Sequence, residues 1–237
     1  MTLVIAWIVG ALIGYVCGAF PTGFFVGKIW NVDVRKHGSG RTGGTNVLRT
    51  VGWGAFTITV IGDALKGILP VLLSQYIYPT IHSAHVATVL GVLTGNNWSL
   101  WITLITKSDP EAKYAMPPLG WIQRIVHQGR GGAGVTVTAG AVLALFPPVP
   151  LIILPFGIGV LLITRYASVA SLTVATLFPF VMGAFVLTGN APLSYLVLSI
   201  IVGIMLYVIH IPNIERLRAG NERRFGARLG QRSTRSQ

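Results

Sequence analysis

Residues 3–26 read LVIAWIVGALIGYVCGAFPTGFFV, a run without one charged side chain. About 20 such residues, wound as an α-helix, cross the hydrocarbon core of a bilayer. The pattern recurs: apolar runs cover residues 51–77, 86–105, 134–146, 151–164, 167–187 and 192–211. Charged residues make up only 10% of the 237-residue chain, against roughly 25% in an average soluble domain. The expected fold is therefore all-α and polytopic in a membrane. A soluble enzyme, a disordered tail protein and a disulfide scaffold are excluded. The one cysteine, Cys17, allows neither an internal disulfide nor a cysteine-built metal cluster.

The runs 134–146 and 151–164 are short, and Pro147, Pro148 and Pro150 stand between them. Proline interrupts a helix, so these runs form either one kinked span or a hairpin of two short helices. Charge chooses between them. With the hairpin, every Lys and Arg except Lys66 falls on one side of the membrane. That side holds Lys28, Arg35, Lys36, Arg41 and Arg49, then Lys107, Lys113, Arg124 and Arg130, then Arg165 and the arginine-rich tail. The opposite loops, 78–85, 147–150 and 188–191, carry none. The positive-inside rule then predicts about seven transmembrane helices, with the N-terminus outside and the C-terminus cytoplasmic. The net charge of +12 reads as topology and as contact with anionic lipid, and nucleic acid is not an expected partner. The first run is too long, and lacks the basic start, for a cleaved signal peptide. Residues 1–237 read as a single integral membrane domain with a basic cytoplasmic tail from about residue 213.

Gly10, Gly14 and Gly18 recur every four residues in the first run, a face that lets two backbones approach closely. Asp63 and Lys66 lie inside the second run, three residues apart, and so can pair on one helix face. Ionisable groups at membrane depth are costly and mark function. The richest chemistry lies at 37–49, HGSGRTGGTNVLR. Its glycines let backbone N–H groups face an anion, its hydroxyls add donors, and its arginines offer a fork to phosphate. The formal GxGxxG from Gly38 to Gly43 follows a membrane helix and has no βαβ unit around it, so it is not a dinucleotide site. A second glycine run, 129–134, leads into the fourth apolar run, where glycines before a helix can face an anion. A third polar group, His210, Asn213 and Arg216, lies where the last run exits. Three such groups on one face suggest a phosphate-bearing substrate. A lipid-synthesis enzyme and an organic-phosphate carrier both fit these residues.

In this order the motifs resemble a known family. Gly38-Ser39-Gly40, Gly44-Thr45-Asn46 and Arg49, then Asp63-x-x-Lys66-Gly67, are similar to the bacterial acyl-phosphate:glycerol-3-phosphate acyltransferases. The likeness continues at Gly95, at residues 131–134, at Arg165-Tyr166-x-Ser168-x-x-Ser171, and at His210-x-x-Asn213-Ile214-x-Arg216-Leu217-x-x-Gly220-x-Glu222. The resemblance implies a seven-helix enzyme of the bacterial cell membrane with a cytoplasmic active site. It implies acyl transfer from acyl phosphate to the 1-hydroxyl of glycerol 3-phosphate, giving lysophosphatidate and phosphate, the first step of phospholipid synthesis. No metal, coenzyme A or other cofactor is implied. Coupling to an enzyme that forms acyl phosphate is allowed. The H-x4-D box of the acyl-CoA-type acyltransferases is absent; the nearest spacing is His210 to Glu215.

Carried onto this chain, the resemblance assigns phosphate binding to Ser39, Thr45, Asn46, Arg49, Lys66 and Arg130. It assigns catalytic roles to Ser39, Lys66, His210 and Asn213, with His210 as the candidate base and Asp63 orienting Lys66. A carrier, or a relative that kept the fold and lost the chemistry, is the alternative. The chain departs from the family's pattern at four places. Asn96 follows Gly95 where the family has His. Ala133 stands in place of the Lys of Gly-Gly-Lys-Gly. Arg41 replaces an Asn, and Ile211 stands where Arg is common. Segment 107–133 is longer than usual. Within it Trp121, Ile122, Ile125 and Val126 form an apolar stripe that predicts a short interfacial helix, with a plain loop as the alternative.

Overall fold

The computed structural model describes residues 2–106, 114–116 and 118–226, and among these the chain is helical with no strand. Helices α1 (Thr2–Gly18) and α2 (Thr22–Ile29) share the first apolar run. The run was expected to be one helix. Pro21, which has no N–H to donate, breaks it. Side chains from elsewhere meet the carbonyls at the break: the Ser99 hydroxyl donates to Ala19 O, and Lys66 Nζ donates to Phe20 O at 2.9 Å. A backbone opened at membrane depth needs such partners, because lipid offers none.

After a 3-10 turn at Val34–Lys36 come α3 (Gly44–Thr50), α4 (Trp53–Ile77), α5 (His82–Asn97), α6 (Leu100–Ile105) and α7 (Leu119–Gln128). Then follow α8 (Val135–Leu145), α9 (Pro148–Thr164), α10 (Ala167–Leu187), α11 (Leu193–Ile209) and α12 (Ile211–Arg218). Pro148 sits in the first turn of α9, where a missing N–H costs nothing. The proline cluster thus makes two helices, as the charge pattern requires. The run 86–105 is also divided: Ser99 caps α6 by accepting from Ile102 N at 3.1 Å.

By length and composition, the α1–α2 pair, α4 and α10 can each cross a membrane, and α11 with α12 makes a fourth unit bent by 53°. Helices α8 and α9 are apolar but shorter, with 11 and 17 residues. Eleven residues rise about 17 Å, less than a bilayer core.

Backbone contact holds the bundle. At Gly14 and Gly18 of α1, a Cβ would collide with the carbonyls of Thr88 and Val92 in α5. At Gly91 and Gly95 of α5, a Cβ would collide with Ala11 and Tyr15 in α1. The same interlock joins α4 to α8, through Gly67 against Val137 O and Gly140 against Ala64 O. The small-residue stripe of the first run is therefore a packing face. Behind these seams lies a core of Val89, Val92, Leu93, Val137, Met182, Leu198 and Val202. The outward faces carry Trp7, Leu12, Ile61, Leu162, Phe180 and Ile204, all exposed. So many exposed large hydrophobic side chains call for lipid rather than water.

Residues 119–128 form the expected helix, α7. Its Leu119, Trp121, Ile122 and Val126 are exposed, while Arg124 turns inward to the carbonyls of Thr103 and Thr106 at 3.3 and 3.1 Å. Of the basic tail, residues 227–237 lie outside the described residues.

Candidate active site

Three segments far apart in sequence meet at one end of the bundle. The first is the glycine loop before α3. Gly38 and Gly40 take left-handed φ values of 60° and 71°, which favour glycine. Asn46, on α3, reaches back under this loop. Its Nδ2 donates to the carbonyls of Val34 (2.9 Å), His37 (3.1 Å) and Arg41 (2.8 Å), and its Oδ1 accepts from Ser39 N (3.1 Å). The side chain is spent on shaping the loop. Ser39 and Thr45 line, with Asn46, an open cavity of about 350 Å³.

The second segment is the glycine run 129–134, pinned to the end of α5. Gly131 N donates to Asn97 O at 3.1 Å, and Ser99 N donates to Gly129 O at 2.7 Å. Gly134 has φ 94° and opens α8. The two glycine loops touch backbone to backbone: a Cβ on Gly43 would sit 3.4 Å from Gly132 Cα. Arg41 ties them, with Nη1 donating to Gly132 O at 3.2 Å and Asn97 Oδ1 at 3.5 Å. Burial, and then the charges of Arg130 and Arg216, hold the Arg41 guanidinium down to about 10, so it remains a cation at neutral pH.

The third segment is the exit of α11 with α12 and residues 219–226. His210 is 4% exposed and lines the cavity. Its Nδ1 lies 2.8 Å from Leu206 O. A carbonyl only accepts, so Nδ1 carries the proton; burial pushes the ring's pKa down, which favours the neutral form with Nε2 as an acceptor. Glu222 collects the neighbours: its carboxylate accepts from Arg216 Nε (2.7 Å), Asn213 Nδ2 (2.9 Å) and Ser168 Oγ (3.2 Å). The chain then folds back over the first loop. Arg223 O accepts from Arg49 Nη2 at 2.9 Å, and the Phe225 ring packs edge-on to Trp53 and Phe56. The start of the tail is thus part of the site wall, beyond the topology role expected of it.

Ser39, Thr45, Asn46, Arg49, Arg130, His210 and Asn213 all border the one cavity. Lys66 does not. It faces away, bound to Phe20 O and to Asp63 Oδ1 at 2.9 Å, and only Asp63 reaches the cavity wall. Arg41, Arg49, Arg130, Arg216 and Arg223 surround the space, against Asp63 and Glu222. Both carboxylates are already paired with cations. Burial pushes Arg49 down and Glu222 opposes that shift, while Arg49 Nε is buried without a partner among the described residues. Cations in excess of carboxylates, with Arg49 buried and Arg41 half-buried, favour an anion in this space. The wall opposite, built from α8, α9 and α10, is mostly apolar, with Thr136, Ser168 and Ser171 as its polar residues.

The chain matches the family model described as glycerol-3-phosphate acyltransferase over residues 8–106 and 112–220. It belongs to that family.

Among its relatives, the glycerol-3-phosphate acyltransferase of Rubrobacter xylanophilus is 36% identical, over 92% of this chain and 95% of the relative. That of a Synechococcus strain is 35% identical, over 95% of this chain and 98% of the relative. Two crystal structures of PlsY, an integral membrane glycerol 3-phosphate acyltransferase, share the fold at 26% identity. The glycerol 3-phosphate form has a TM-score of 0.74 over 93% of this chain and 96% of that one; the lysophosphatidic acid form has a TM-score of 0.73. This member of the glycerol-3-phosphate acyltransferase family places Arg41 and Arg130 beside Ala133, at the wall where the resemblance expects a lysine. Asn96, in the place of the family's His, lies under Gly132, 3% exposed. The hold of Glu222 on both Asn213 and Ser168 gave no sign in the sequence.

Proposed function

We propose that this multi-pass membrane enzyme acylates the 1-hydroxyl of glycerol 3-phosphate, with acyl phosphate as donor. The observation that carries the reading is a single cavity, cationic at its mouth and apolar at depth. A phosphorylated headgroup and an acyl chain need those two environments side by side.

In this reading Arg49, Arg41 and Arg130 hold the phosphates, each charge-assisted bond contributing about 1.5–3 kcal/mol, and Ser39 and Thr45 add hydroxyl donors. Asn213, held by Glu222, orients the glycerol hydroxyl. That oxygen attacks the acyl carbonyl carbon, the cations stabilise the oxyanion, and the carbon–oxygen bond to phosphate breaks. The hydroxyl proton passes to a phosphate oxygen or to His210 Nε2. Phosphate leaves readily, so positioning and charge stabilisation carry most of the rate. Asn46 serves by holding the loop, and Lys66 by holding Asp63 and the α1–α2 break.

The same proposal takes the chain as one domain, the N-terminus as outside, and the cavity as opening to the cytoplasmic side of a bacterial inner membrane. An acyl-phosphate-forming enzyme would be the source of the donor.

The test uses purified protein in lipid with radiolabelled glycerol 3-phosphate and either palmitoyl phosphate or palmitoyl-CoA. Lysophosphatidate formed only from the phosphate is the expected result. Product from the thioester alone would overturn the donor assignment. Uptake of glycerol 3-phosphate into sealed vesicles, with no product, would favour a carrier.

A further inference from the structure

Beyond the main cavity lies a second, apolar one of about 20 Å³, walled by α8, α9, α10 and α11. The two cavities share three wall residues: Val135, Leu154 and Val174. The helix directions agree on depth. Along α10, Ser168 bonds the Glu222 network at the mouth, and Ala170 and Ser171 line the middle. Val174 stands at the junction, and Phe178, 2% exposed, lies in the wall of the inner cavity. Along α9 the order runs inward through Leu161, Ile158 and Leu154 to Ile153 and Pro150. The α10 wall is thus made of small residues until Val174.

The α9 backbone seats Val174 tightly. Gly157 has no side chain, and a Cβ there would come within 2.6 Å of Val174 Cγ2. The isopropyl group therefore fills the α9–α10 seam where the large cavity ends. From Val174 to Phe178 the helix rises about 6 Å, and the inner cavity of about 20 Å³ has room for little more than one methyl group.

Resting on the acyl-transfer reading above, we propose that the inner cavity receives the methyl end of the acyl chain. Val174 and Leu154 form the constriction that sets how long a chain is accepted, and Phe178 is the final stop. The constriction is a chain-length gauge, built from residues that bear no chemistry. It is coupled to the phosphate site because both share one cavity.

The experiment measures kcat/KM for lauroyl, myristoyl, palmitoyl and stearoyl phosphates with the full-length protein in lipid. It compares the natural chain with Val174→Ala, Leu154→Ala and Val174→Ile. In parallel, native mass spectrometry ranks the binding of lysophosphatidates of the same chain lengths. Either alanine substitution should move the optimum to longer chains, and isoleucine to shorter ones. Each newly buried methylene is worth about fourfold, so the stearoyl-to-palmitoyl ratio should change by about tenfold or more. KM for glycerol 3-phosphate should stay within about twofold. Two alanine variants on different helices guard against the misfolding of one. An unchanged chain-length ranking in a folded alanine variant, in both turnover and binding, overturns the gauge. If the natural chain turns over no acyl phosphate yet the binding ranking shifts in the variants, the gauge stands and the donor assignment falls.

Discussion

Replacing Glu222 with glutamine tests the site at the residue that joins its parts. The Glu222 side chain is 4% exposed and accepts from Arg216, Asn213 and Ser168. Glutamine keeps the shape but brings one NH₂ group. Turned one way, the NH₂ meets the Arg216 donor; turned the other, it meets Asn213 and Ser168, which must reorient to accept it, and either way the charge-assisted bond to Arg216 is lost. A charged hydrogen bond is worth about 1.5–3 kcal/mol. Arg216 is 34% exposed, so water recovers part of its loss, leaving about 1–2 kcal/mol. If Asn213 orients the acceptor hydroxyl, that energy is lost in the transition state, and kcat should fall roughly 5- to 30-fold, at 1.36 kcal/mol per tenfold. KM for glycerol 3-phosphate should change little, because Arg41 and Arg49 are intact. The assay is steady-state kinetics on purified protein, with the melting temperature as a control. The double variant Glu222→Gln, Arg216→Gln should cost less than the sum of the singles, since the two share one bond. Natural kcat together with a natural melting temperature in Glu222→Gln would refute the reasoning. So would full additivity in the double variant.

Arg49→Ala should raise KM for glycerol 3-phosphate by roughly 10- to 100-fold while the protein still inserts and purifies, as the loss of one charge-assisted phosphate contact requires; an unchanged KM would remove Arg49 from the site. Lys66→Ala leaves Asp63 buried without its partner and should destabilise by about 3–5 kcal/mol; Lys66→Met with Asp63→Asn should recover much of the melting temperature, and a direct phosphate role for Lys66 would instead lower activity with stability intact. Arg41→Asn should weaken glycerol 3-phosphate binding, and adding Ala133→Lys should restore it, because both side chains bring one cation to the same loop junction; no restoration by the second change would mean that Arg41 does not stand in for the family's lysine. Gly14→Val should abolish folded yield on gel filtration, since its side chain would meet the Thr88 carbonyl across the α1–α5 seam.

What the sequence determined alone is local. A charge-free run long enough to cross a bilayer becomes helical in lipid except where a residue such as Pro21 breaks it and side chains meet the freed carbonyls, because lipid offers the backbone no partner. Prolines at 147 and 148 part α8 from α9 by removing N–H donors within a few residues. The glycine spacing of α1 announces a close face, though not that α5 fills it. The motif residues Ser39, Thr45, Arg49, His210 and Asn213 were legible because their residue types carry phosphate and proton chemistry in any setting.

Only the tertiary structure decided which of these residues share one space. Lys66 and Asp63 are three residues apart, yet one turns to the α1–α2 break and the other to the cavity, because Pro21 left a carbonyl in reach of the ammonium. Asn46 reads as a phosphate ligand by type, but its amide is consumed by the loop that it supports. Arg41 spans 91 residues of sequence to Gly132, and Arg49 spans 174 to Arg223. The hold of Glu222 on Asn213 and Ser168, and the place of Val174 at the junction of two cavities, are likewise set by how helices cross. Composition fixes what each segment must bury, and the crossing of the helices fixes which polar groups are left facing one another.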